Sequence, residues 1–218
     1  MARTLRRVVL LGLVVGLCGT LAYVAWPRRA SLRRFSPTAI AHLETAMWRS
    51  YYDHRYVALF QQLYRMNREQ YGFSPWNSFR IAYSAAKAAH VFQPSTSRAQ
   101  ARAAIPWLVR YYSIIKVDTH ESFDVERAAG LELDWWQLRR ENATPAEYGK
   151  VIAKVAAEVY RTDNDDIQQA GALRAAMMQF RDERSDGRMR EQDWQTIENG
   201  LDRAFALLKH AVISPTDG

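Results

Sequence analysis

Nineteen consecutive residues without a charge, Val8 to Trp26 (VVLLGLVVGLCGTLAYVAW), constrain this chain more than any other feature. As a helix rising ~1.5 Å per residue the run is about 28 Å long, close to the ~30 Å hydrocarbon thickness of a bilayer. Arginines flank it on both sides, and Tyr23 and Trp26 stand at its distal end, where amphipathic rings favour the headgroup layer. The run therefore reads as a single transmembrane helix over residues 8–26, between a basic tail (1–7) and a basic stalk (27–35). A cleaved export signal is the competing reading. Thr20-Leu21-Ala22 offers a passable cleavage site, but the apolar sequence continues past it through Val24 and Trp26. Short basic tails usually stay inside, which expects the remainder of the chain on the non-cytoplasmic, periplasmic side.

The same arginines account for the basic balance. Residues 1–34 carry seven arginines and no acid, so the rest of the chain holds 23 bases against 23 acids and is formally neutral. A phosphate-tracking surface needs clustered, uncompensated bases, so nucleic-acid binding is not expected. Charge divides again further along: residues 35–116 hold ten bases and three acids, residues 117–218 thirteen bases and twenty acids. This split reads as helices choosing neighbours of opposite charge. Cys18 is the only cysteine and lies in the apolar run, which excludes a disulfide or a thiolate metal site from the domain.

From residue 36 onward the apolar spacing is helical throughout, without the alternation of a strand. Ser36-Pro37, Ser74-Pro75 and Thr144-Pro145 each place a capping side chain before a proline at the first helical position, and Thr144-Pro-Ala-Glu147 is a capping box. The spacing predicts helices over 37–70, 75–92, 97–116, 123–141, 145–161, 165–183 and 192–213, with Pro106 kinking or breaking the third. Gly72 suits a left-handed residue at the end of the first. The expected fold is all-α: a single transmembrane helix, then a compact bundle of about six to seven helices over 36–213, and a short tail at 214–218.

Charges inside apolar stripes are the informative residues, because a buried charge must be paired or functional. Glu44 and Arg55 fall on the apolar face of the first predicted helix, three turns apart. Glu132 occupies the centre of the 125–136 stripe, and Arg174 lies among Ala170, Gly171, Met177 and Met178. One reading is an interior ion-pair lattice that fixes helix register. The other is a site in which Glu44 and Glu132, in an aromatic-lined interior, hold a cationic ligand or a metal pair. Carboxylate di-metal bundles ask for Glu-x-x-His, and none of His42, His54, His90, His120 and His210 has a Glu three residues before it. Asp118, His120, Glu121 and Asp124 cluster where a loop is expected and could chelate a surface ion. Tyr111-Tyr112 and Trp135-Trp136 could line an apolar pocket with one member each, since adjacent residues on a helix point apart.

No phosphate-binding loop, nucleophile elbow, zinc-protease helix or haem site is present. No metal or cofactor is expected. The favoured function is a non-enzymatic accessory subunit, anchored in lipid through residues 8–26 and docked to a membrane protein complex. Two alternatives are an enzyme or cofactor binder using the Glu44/Glu132 site, and a peripheral lipid-binding domain whose stalk arginines hold anionic headgroups.

Overall fold

A computed structural model describes residues 2–25, 29–184 and 189–213, with the side chains of residues 2–5, 7–9, 11 and 25 outside the described set. The described residues form helices and loops, with no strand among them. Residues 8–25 of the apolar run lie within helix α1 (Ala2–Ala25), along which Leu13, Val14, Val15, Leu17 and Leu21 are exposed. Among the described residues, however, no helix is long and apolar enough to cross a membrane, so the transmembrane assignment over 8–26 gains no support from the structure. Trp26 and residues 27–28 lie outside the described residues, as does the tail from 214.

The expected basic stalk is not a stalk. Ala30, Leu32 and Phe35 are buried, and Ser31 donates its backbone N–H to the Tyr71 carbonyl at 2.9 Å. Arg33 turns inward and donates to the carbonyls of Val212 and Tyr160, both at 2.8 Å, satisfying acceptors at two helix ends. Arg33 is thereby engaged within the domain, while Arg29 and Arg34 remain exposed. Residues 29–35 thread into the core.

The helix predicted over 37–70 is broken. Helix α2 (Pro37–Tyr52) stops in a Schellman motif: His54 N–H donates to Tyr51 O at 3.1 Å and Arg55 N–H to Ser50 O at 2.7 Å, with His54 left-handed at φ +56°. The chain restarts as α3 (Tyr56–Arg65) and runs into a π turn, Met66–Gln70. Gly72 then takes the left-handed φ of +76° expected of it.

Helix α4 (Pro75–Phe92) starts at Ser74, whose hydroxyl accepts from Asn77 N–H at 3.1 Å. Pro106 divides the next predicted helix: α5 (Arg98–Ala101), one 3-10 turn (Arg102–Ala104) and α6 (Ile105–Thr119), with the proline in the first turn of α6 where its missing N–H costs nothing. Then come α7 (Val125–Arg140), α8 (Pro145–Tyr160) with its Thr144–Glu147 capping box, α9 (Asp165–Asp182) and α10 (Glu191–Ile213).

Packing follows chain order around a ring. Helix α2 packs on α3, α3 on α4, α4 on α6, and so through α7, α8 and α9 to α10, which returns onto α2 and closes the circle. The tightest join is α8 on α9. A Cβ on Gly171 would lie 2.6 Å from the Gly149 carbonyl oxygen and 2.8 Å from Ala153 Cβ, so these backbones approach as only glycine allows. Exposed pairs such as Arg49–Glu191 and Arg98–Glu141, each at 2.6 Å, join the basic first half to the acidic second. A closed ring of helices that each bury one face leaves its side chains converging on a common interior.

Candidate functional site

That interior is not filled. It holds a cavity of about 310 Å³, to which every helix of the ring contributes, together with Leu32 from the entering segment and Met66 and Asn67 from the π turn. Most of the wall is aliphatic or aromatic. Its charged lining residues are Glu44 on α2, Glu132 on α7 and Arg174 on α9. Arg55 is not among them: the break after α2 puts it on the surface, 3.1 Å from Asp53. The predicted quartet is thus three residues facing one space and a fourth separated from them by a helix end that the sequence did not announce.

Within the trio the pairing is unequal. Arg174 Nη2 donates to Glu44 Oε1 at 2.6 Å, and its guanidinium lies 5.6 Å from the Phe205 ring centre. Burial opposes the charge on Arg174, but Glu44 and then Glu132 outweigh it, so the proton is held more tightly than on a free arginine. Arg174 Nε is buried without a partner. Glu132 has no such close cation. Its two oxygens accept from Tyr112 OH at 2.9 Å and Trp136 Nε1 at 3.1 Å. Burial raises its pKa above the ordinary carboxylate range, against the opposing pull of Trp135, Tyr112, Arg174 and Trp136. Glu132 retains free surface because it opens onto the cavity, although protein surrounds it on all sides.

The aromatic wall is fuller than the sequence reading allowed. Both members of each adjacent pair border the cavity, Tyr111 with Tyr112 and Trp135 with Trp136, their rings edge-to-face at 4.9 Å and 6.1 Å. The ~100° between neighbours on a helix is narrow enough for two large side chains to flank one wide opening. Tyr71, just past the π turn, is a wall residue that no periodicity pointed to. Burial, reinforced by Glu44 for Tyr71 and Glu132 for Tyr111, pushes both phenols up, so they are neutral hydroxyls at any physiological pH.

The acidic loop cluster resolves into separate duties. Asp118 accepts from Asn77 at 2.6 Å, Glu121 faces Arg33 at 3.4 Å, and Asp124 caps α7 through Arg127 N–H at 3.0 Å. Among the described residues no group of three His, Cys, Asp or Glu side chains is placed to hold a metal ion. Formally the cavity carries two carboxylates and one guanidinium, one negative charge in excess, on a wall rich in π faces. No family, no characterised protein and no solved structure matches this chain.

Proposed function

We propose that this chain is a membrane-tethered binding module, without catalytic activity of its own, whose helical ring takes a small organic cation into the central cavity. The observation that carries this reading is Glu132, hydrogen-bonded to Tyr112 and Trp136 and beside Trp135, in a cavity whose one cationic lining group among the described residues, Arg174, makes its close ion pair with Glu44 instead. A cation over aromatic faces gains ~2 kcal/mol or more when desolvated, and a carboxylate alongside supplies the balancing charge. The volume is at the small end of the ~300–1,000 Å³ typical of ligand pockets, which suits a compact ammonium with an apolar body. Tethering is supported by the exposed apolar side chains along α1, which have no reason to face water.

Isothermal titration of the purified chain with benzyltrimethylammonium, against its uncharged tert-butyl isostere, tests the proposal. The cation should bind at least about tenfold more tightly, a difference of ~1.4 kcal/mol, and Glu132→Gln should abolish that preference. Affinity should also rise with pH as the competing proton leaves Glu132. Equal binding of the two probes, or a Glu132→Gln variant that keeps the preference, refutes it.

A further inference from the structure

Helix α4 carries a run of aromatic rings on its outer face. Trp76 stacks on Phe79 at 5.8 Å and 9° between planes, and Phe79 on Tyr83 at 6.2 Å and 11°. Phe60 of α3 meets Phe79 edge-on, and Trp107 of α6 meets Tyr83 in the same way. These are not core residues: Trp76 is 50%, Phe79 42% and Tyr83 39% exposed, and Val57 on the neighbouring α3 is 74% exposed. A contiguous aromatic patch of this kind marks an interaction surface.

Two observations identify what covers it. Cations border the patch, Lys87 and Arg110 each lying within 6 Å of the Trp107 ring centre, in the half of the domain that holds ten bases against three acids. Aromatic rings interleaved with snorkelling bases are the side-chain chemistry of a headgroup layer. Helix α1 also packs on α4, the helix that carries the patch. From the end of α1 at Ala25 to buried Ala30 is five residue steps, at most about 18 Å of chain, so the domain has no slack to stand away from whatever holds α1. We infer that the Trp76–Phe79–Tyr83 face of α4, with the adjoining end of α3, lies in the headgroup layer of an anionic bilayer beside α1. The inference rests on α1 being embedded, and the test separates the two.

The full chain is reconstituted into phosphatidylcholine vesicles with and without phosphatidylglycerol, carrying an environment-sensitive fluorophore at one of three places. These are the native Cys18 of α1, Phe79→Cys, or the exposed Gln195→Cys of α10, the last two in a Cys18→Ser background. Spin-labelled lipids then report depth. The expected result is loss of fluorescence to deep quenchers at residue 18 and to shallow quenchers at 79, little loss at 195, and a larger loss at 79 when anionic lipid is present. If residue 18 is quenched while 79 matches 195, the anchor stands and this inference falls. An unquenched residue 18 removes both. A label at 79 shielded from aqueous iodide but untouched by lipid quenchers means that protein covers the face, a second copy or a partner, and overturns the inference as well.

Discussion

Replacing Arg174 with Met keeps the volume of the side chain and removes the charge that holds the ring's interior together. In the folded protein Glu44 is 7% exposed, with the guanidinium of Arg174 at 2.6 Å as its hydrogen-bond donor. Stranding one member of a buried pair costs ~3–5 kcal/mol, and because Arg174 itself retains 28% exposure towards the cavity, the lower part of that range applies. A domain of this length loses ~2–4 °C of melting temperature per kcal/mol, so Arg174→Met should melt ~6–12 °C below the parent at pH 7. Thermal unfolding followed by circular dichroism measures it. The deficit should shrink as pH falls, because protonating the stranded carboxylates removes the uncompensated charge. Glu44→Gln combined with Arg174→Met should recover a large part of the loss, since the double variant buries no charge from the pair. A single variant melting within about 2 °C of the parent, or a deficit independent of pH, refutes the view that this pair fixes the ring.

Glu132→Gln acts in the opposite sense. Burial raises the Glu132 pKa in the folded state, so its contribution to stability is fully present below the unfolded carboxylate pKa and is lost as pH rises through the folded value. The Gln variant should therefore match the parent in acid and exceed it at pH 8, which parallel melts at the two pH values will show. Gly171→Ala forces a methyl group against Gly149 O and the Ala153 backbone, and should cost ~1–3 kcal/mol in urea unfolding. Arg33→Met leaves the Val212 and Tyr160 carbonyls without their charged donor; a loss of ~1–3 kcal/mol in the same assay is expected, without change in cation affinity.

Signals for helix starts and for most helix ends were legible in the sequence; the break after α2 was not. Ser36, Ser74 and Thr144 cap where the Ser/Thr-Pro pairs placed them, because an N-cap is a property of one side chain and its next three residues. The ends of α2, α6, α7 and α8 are followed instead by His54, His120, Asn142 and Arg161 in the left-handed region, a conformation normally advertised by glycine. None of these is glycine, so nothing in the local sequence marks the break at His54, which takes Arg55 off the face that holds Glu44. Glu44, Glu132 and Arg174 stood out because a charge in an apolar stripe is conspicuous whatever the topology. Their meeting in a single space depends on α10 closing onto α2, a contact between residues far apart in the chain that no local pattern encodes. The burial of Leu32 and Phe35 was hidden by the four arginines around them.

The entering segment also joins the two proposals physically. Leu32 lines the cavity, its carbonyl accepts from Tyr160 OH at 3.2 Å, and Arg33 beside it binds the ends of α8 and α10. Whatever occupies the cavity therefore touches chain that is seven residues from the end of α1. In a domain held by a long stalk, ligand and membrane would be independent. Here a residue that lines the cavity, Leu32, belongs to the short segment that leads from α1 into the ring. The interior charges are therefore held unequally: Arg174 and Glu44 share a direct ion pair, whereas Glu132 is held by the hydrogen bonds of Tyr112 and Trp136 with Arg174 acting on it only through its charge.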